Sequence, residues 1–174
     1  MTKFLFDLQR FVTIKSSKDD TLLSGTSGDD WIRSTDADGV TISADNGNDS
    51  IRNWSGYRVI IDAGAGNDSP DVCRGYDVSV DMGAGDDYLE SYGGSFVTIE
   101  GGKGSDTIKT GNANSSIDAG AGNDYIYNRG DNVSINGGDG NEKQLGMRNA
   151  QCAIKKIITH YALRITHYAL RITH

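Results

Sequence analysis

A short apolar–polar–apolar triplet recurs along the middle of the chain. It reads Val40-Thr41-Ile42, Val59-Ile60-Ile61, Val78-Ser79-Val80, Val97-Thr98-Ile99, Ser115-Ser116-Ile117 and Val133-Ser134-Ile135, with Thr21-Leu22-Leu23 in the same slot one period earlier. Alternation over three residues predicts a strand with one buried face. A second strand is marked by Ile32, Ile51, Leu89, Ile108 and Ile126. Each follows a glycine turn whose fourth-position glycine falls at 28, 47, 66, 85, 104, 122 or 140, so the period is 19 residues four times and then 18 twice. Two strands and two glycine-containing turns per period predict one coil of a flattened solenoid. So small a coil cannot bury its own apolar side chains, and coils have to stack in parallel. The expected fold is all-β: a parallel β-roll (β-solenoid) of about six to seven 18–19-residue coils over residues 21–142, with a short N-terminal cap and an atypical C-terminal tail.

Stacking puts equivalent residues about 4.8 Å apart, so any fixed turn position becomes a ladder. The sixth turn position is Asp30, Asp49, Asp68, Asp87, Asp106 and Asp124, with Glu142 in the seventh turn. Like charges at that spacing repel by roughly 1 kcal/mol per neighbouring pair even in water. A solvated acidic face would tolerate this, but the glycines two residues earlier (Gly28, Gly47, Gly66, Gly85, Gly104 and Gly122) expose backbone carbonyls beside every Asp. Carboxylates and carbonyls from adjacent turns make an all-oxygen cage, which suits calcium better than magnesium with its strict octahedron. These six aspartates and six glycines are the candidate metal ligands, and six intact turns leave five gaps for about five Ca2+.

The turns resemble the RTX, or haemolysin-type, calcium-binding nonapeptide repeats, G-G-x-G-x-D-x-U-x with U a large aliphatic. Gly101-Gly-Lys-Gly-Ser-Asp-Thr-Ile-Lys109 matches every position, and Ala119 to Tyr127 misses only the first glycine. The resemblance implies a parallel β-roll with Ca2+ held between successive turns by the sixth-position Asp and by turn carbonyls. It also implies a secreted bacterial protein exported through an uncleaved C-terminal signal. Alternate turns such as Asn53-Trp-Ser-Gly56 and Ser91-Tyr-Gly-Gly94 lack the Asp, so calcium is expected along one edge only. Pro70 replaces an inward aliphatic and predicts a local irregularity, and Glu142 puts a seventh site in doubt.

Charge adds to this picture. The net −7 divides into +3 over residues 1–18, −16 over 19–142 and +6 over 143–174. A block at −16 repels phosphates and argues against nucleic-acid binding. No apolar run approaches the ~18 residues of a membrane span. Cys73 and Cys152 have no zinc spacing, and no structural disulfide is expected. Asp7, Gln9 and Arg10 interrupt what would be a signal-peptide core. The expected location is extracellular or at the cell surface, reached without a cleaved N-terminal signal peptide.

Residues 1–20 read as a cap over the first coil or as an export or anchoring address, and Val12-Thr-Ile14 resembles the strand triplet of a zeroth coil. In the tail, residues 143–174, the heptad Ile158-Thr-His-Tyr-Ala-Leu-Arg164 repeats identically from Ile165 and begins again at Ile172. Beside the sudden loss of acids, it reads as frame-shifted sequence rather than as a histidine metal site.

Catalysis is not expected. The repeats carry no histidine to act as a base, the chain has no HExxH helix, and the period is not that of hexapeptide acyltransferases. The expected function is calcium binding coupled to folding. The alternative is an adhesive or glycan-recognising solenoid face, since Trp31, Tyr88 and Tyr125 fall among its outward positions.

Overall fold

The computed structural model describes residues 13–141 and 143–145, and every regular element among them is a β-strand. In chain order these are β1 (Thr13–Ser16), β2 (Leu22–Ser24), β3 (Trp31–Thr35), β4 (Thr41–Ser43), β5 (Ser50–Asp62), β6 (Ser69–Asp81), β7 (Tyr88–Tyr92), β8 (Ser95–Glu100), β9 (Thr107–Thr110), β10 (Ser116–Asp118), β11 (Tyr125–Asn128), β12 (Ser134–Asn136) and β13 (Lys143–Leu145). No helix among the described residues is long and apolar enough to cross a membrane.

All pairings are parallel. One face of the roll is the run β1-β3-β5-β6-β7-β9-β11-β13, and the triplets form the other, with β2, β4, the second half of β5, then β6, β8, β10 and β12 side by side. The chain is therefore a β-solenoid whose coils advance by 19 residues (Ile32↔Ile51) and later by 18 (Ile108↔Ile126). The strands β5 and β6 run unbroken across both faces because Gly56 pairs with Gly75 and Tyr57 with Tyr76 through the corner itself.

The change of period has a definite location. Ser91 pairs with Thr110, 19 residues on, whereas Ser95 pairs with Ala113, 18 on. The lost residue lies in the corner opposite the aspartates. That corner carries two left-handed positions per coil, Asp36, Ser55, Arg74 and Gly93 in one row and Gly39, Arg58, Asp77, Phe96, Asn114 and Asn132 in the other. The first row ends at Gly93.

The core is four apolar columns. Ile32, Ile51, Leu89, Ile108 and Ile126 form one; Val40, Val59, Val78, Val97 and Val133 another; Leu23, Ile42, Ile61, Val80, Ile99, Ile117 and Ile135 the third; Ala44, Ala63, Met82 and Ala119, at the first turn position, the fourth. A fifth inward column is mostly polar: Ser34, Asn53, Val72, Ser91, Thr110 and Asn128, all at 0–1% exposure. Alternation did not reveal this column, because Ser, Asn and Thr at inward positions read as outward ones.

Two expectations are corrected. Thr13–Ser16 does form a strand, but Ile14 stacks on Ile32 in the post-turn row, not in the triplet row. At Pro70 the register with β5 is unbroken (Ile51↔Pro70), and the irregularity is confined to the other side, where pairing with β7 starts only at Asp71. Lys143–Leu145 continues the post-turn row, with Gln144 opposite Ile126, so the roll extends three residues past 142. Residues 1–12, Glu142 and 146–174, including Cys152 and the heptads, lie outside the described residues.

The turn glycines make this stacking distance attainable. Gly104 sits at φ +128°, and an added Cβ would overlap the Gly85 carbonyl oxygen of the preceding coil. Gly93 also has positive φ, but its Cβ would meet nothing nearer than Arg74 Cγ at 3.5 Å. In urea titrations with calcium present, Gly104→Ala is expected to lose more than ~2 kcal/mol and Gly93→Ala about 1 kcal/mol. Equal losses would mean that backbone conformation, not close approach, sets the requirement.

Candidate metal centre

The structure places Asp30, Asp49, Asp68, Asp87, Asp106 and Asp124 in one row along one edge, each only 1–2% exposed. They are the only buried carboxylates among the described residues. Nothing comparable lines the opposite corner.

Each carboxylate has a structural oxygen. Oδ1 of Asp49 accepts from the Asp30 backbone N–H at 2.6 Å, and the same bond repeats from Asp49 to Asp68 (2.7 Å), Asp68 to Asp87 (2.6 Å), Asp87 to Asp106 (2.9 Å) and Asp106 to Asp124 (2.9 Å). The fifth turn position, which sequence reasoning passed over, makes a second ladder of opposite polarity. Asn48 N–H donates back to Asp29 Oδ1, Asn67 N–H to Asn48 Oδ1, Asp86 N–H to Asn67 Oδ1 and Ser105 N–H to Asp86 Oδ1. Its signal was present as Asp or Asn at most fifth positions, but it differed from the sixth in not being invariant.

The other oxygen is the chemically telling one. Oδ2 of Asp49, Asp68, Asp87 and Asp106 is buried and has no hydrogen-bond partner. A buried polar atom without a partner costs about 1–3 kcal/mol, and more when it is charged. Asp30 differs: its Oδ2 accepts from the Thr26 backbone N–H at 2.5 Å and from the Thr26 hydroxyl at 3.1 Å.

Peptide oxygens complete the surroundings. Second-position carbonyls (Asp45, Gly64, Gly83, Gly102) and third-position carbonyls (Ala65, Ala84, Lys103, Ala121) are taken up by N–H groups of neighbouring coils. The first-position carbonyls of Ala44, Ala63, Met82, Gly101 and Ala119 accept no backbone N–H, and neither do those of Gly28, Gly47, Gly66, Gly85, Gly104 and Gly122. At Gly101 the Asp106 Oδ2 and the Ala119 carbonyl oxygen of the next coil converge on one side of the glycine, with Oδ2 2.9 Å from where a Cβ would stand. Sequence reasoning named the fourth-position glycines and missed the first-position donors. The first position varies among Gly, Ala and Met, and the side chains of Ala44, Ala63, Met82 and Ala119 are buried in the core.

This donor set fits a hard cation. No three His, Cys, Asp or Glu side chains converge on a point among the described residues, so an ion would take one or two carboxylates and complete its shell with peptide carbonyls. All-oxygen coordination of that kind suits Ca2+. Cys73 lies in the opposite corner, its thiol pushed up to about 11 by burial and by the hydrogen bond it gives Asp71.

Burial, offset in part by the backbone N–H each accepts and increased by neighbouring carboxylates, pushes Asp49 up to about 6 and Asp68 and Asp106 up to about 7. Burial does the same to Asp87, up to about 6, with Asp86 adding to it. Each shift amounts to on the order of 3 kcal/mol at alkaline pH. Because the folded values lie above the unfolded 3.8, the metal-free fold keeps this stability below pH ~4 and loses it as pH rises toward 7. In chelator the melting temperature is expected to fall over that window until the fold is lost, and Asp68→Asn should move that loss to higher pH. A flat profile in chelator would show that these carboxylates are not strained.

Compared with protein-family models, with curated proteins and with solved structures, the chain matches none, so the role of the aspartate row has to be argued from its own geometry.

Proposed function

We propose that the roll is a non-catalytic calcium-binding module of a secreted or cell-surface protein, and that calcium drives its folding. The observation that carries this reading is the row of four buried Oδ2 atoms without partners, from Asp49 to Asp106, beside unclaimed carbonyls of the first and fourth turn positions. The resemblance of the turns to RTX repeats supports the same cation.

Calcium supplies positive charge and a coordination shell loose enough to accept mixed carboxylate and carbonyl oxygens. The chain does the rest. Oδ1 stays committed to the N–H of the preceding coil, so Oδ2 is held at a fixed place in each gap. Asp49, Asp68, Asp87 and Asp106 would be the carboxylate ligands, with carbonyls of Gly47, Gly66, Gly85 and Gly104 and of first-position residues around them. Asp30, already bonded to Thr26, contributes least.

In chelator at neutral pH the chain is expected to lose most β-structure, because buried carboxylates oppose the stacking that covers Val59, Ile61, Val97 and Ile99. Binding energy then becomes folding energy. Such a chain stays loose at cytosolic calcium and folds outside the cell. Calorimetry should count about five Ca2+ with dissociation constants of ~10⁻⁴–10⁻³ M. Asp87→Ala should raise the calcium midpoint of the circular dichroism transition more than Asp30→Ala, which borders a single gap and is satisfied by Thr26. One tight site, a preference for Zn2+, or a full β-spectrum in chelator at pH 7.5 would overturn the reading.

A further inference from the structure

The corner opposite the aspartates carries apolar surface that the roll itself does not use. Trp54, Tyr57, Tyr76 and Phe96 lie at or beside it across three successive coils, and each is 38–48% exposed. Tyr57 stacks on Tyr76 at 5.1 Å and 13°, and Tyr76 meets Phe96 edge-on at 5.2 Å. The three rings form a ridge that crosses two coil steps, roughly 10 Å along the roll axis. Their faces are spent largely on one another, which makes the ridge a poor platform for a flat ligand. It suits a protein surface, where exposed Tyr, Trp, Phe and Arg are enriched.

Backbone conformation marks the same place. Arg58 and Phe96 stand in one row of this corner, both at φ +57°, a left-handed region that a bulky side chain takes only at a cost. The other members of the row are Asp20, Gly39, Asp77, Asn114 and Asn132, the residue types that take this conformation most readily. Two middle coils thus keep a large, exposed side chain where the backbone favours a small one. The ion pairs among the described residues join Arg52 to Asp71 and Lys109 to Glu90. Neither Arg58 nor Asp77, both exposed, is matched by an opposite charge within its own chain.

Read antiparallel, the corner is complementary to itself. In coil order the row runs Gly39, Arg58, Asp77 and Phe96: small, positive, negative, large. A two-fold axis lying across the corner, between the coils of Arg58 and Asp77, reverses that order in a second copy. Arg58 of each copy then faces Asp77 of the other. Phe96 faces Gly39, where the Asp20 carboxyl stands in place of a side chain. In the neighbouring row, which pairs Tyr57 with Tyr76 along the roll, Tyr57 of one copy faces Tyr76 of the other. Moving the axis half a coil either way sets Arg58 against Arg58 or Asp77 against Asp77. A two-fold contact requires this kind of self-complementarity, residue i meeting j and j meeting i.

We infer that this corner is a homodimer interface, in which two copies of the roll meet antiparallel with their aromatic ridges packed together and Arg58 paired to Asp77 twice. The patch is small, so the contact falls at the low end of the range for specific interfaces, and its dissociation constant should be roughly micromolar.

The test is sedimentation velocity on the full chain, in a buffer where circular dichroism shows the roll. The unaltered chain should pass from monomer to dimer as its concentration rises through the micromolar range. Arg58→Asp and Asp77→Arg should each weaken the dimer by roughly tenfold or more, because each sets like charges together twice. Mixing these two variants should restore a dimer, since every charged pair across the axis is then opposite in sign. Phe96→Asn, which gives this coil the residue of the next two, should weaken dimerisation while the roll stays folded. Tyr88→Ala, on the post-turn face, should leave it unchanged. A folded chain that stays monomeric up to roughly 100 μM, association that none of the corner variants alters, or folded charge variants that fail to dimerise when mixed would each overturn the inference.

Discussion

Six coils of this roll each bury one carboxylate, and both the cohesion and the weakness of the structure follow from how its two oxygens are treated. Oδ1 accepts the N–H of the preceding Asp and so ties coil to coil, from Asp30 N–H through to Asp124. A hydrogen bond to a charged acceptor contributes about 1.5–3 kcal/mol. Oδ2 of Asp49, Asp68, Asp87 and Asp106 is buried with nothing to bond to, and the charge it leaves in a dry gap costs about as much. With gain and penalty so closely matched, whatever neutralises the charge decides whether the stack holds. A cation or a proton can do this, and only the cation also uses the free carbonyls around it.

The rest of the coil is arranged so that this row stays in register. Fifth-position side chains bond in the opposite sense to the sixth, so each gap is laced from both sides. Glycine at the fourth position lets coils approach until carbonyl oxygen meets Cα, a distance no side chain would allow. The opposite corner is held less strictly. It contains non-glycine residues at positive φ, including Phe96 at 57°, and it absorbs the loss of one residue where the period drops from 19 to 18. A deletion there shortens the coil without displacing any aspartate.

The two edges also divide the chemistry. The aspartate edge is all oxygen and takes no part in aromatic packing. The post-turn face carries the mixed column Arg33, Arg52, Asp71, Glu90 and Lys109, while the triplet face shows Asp62, Asp81, Glu100 and Asp118 in register. Such columns are a consequence of strand alternation: each outward position repeats once per coil, so a preference at one position becomes a column.

Much of this was legible in the chain. A fixed 18–19-residue spacing admits few architectures, and the recurring Asp with its flanking glycines located the buried carboxylate edge, because a repeated backbone requirement leaves a repeated residue. Where a feature fell on the backbone alone, the sequence was silent: the first-position carbonyls of Ala44, Met82 and Gly101 all lack a backbone N–H partner although their side chains differ. It was silent too on the buried polar column of Ser34, Asn53 and Asn128, whose interior place depends on the coil closing around it. Only the tertiary structure showed that Thr26 satisfies Asp30, that Thr13–Ser16 stacks on β3, and that Lys15 lies over Trp31 while Lys109 bonds the Tyr88 hydroxyl. Each is a contact between coils, set by register, and register is decided only when the coils stack.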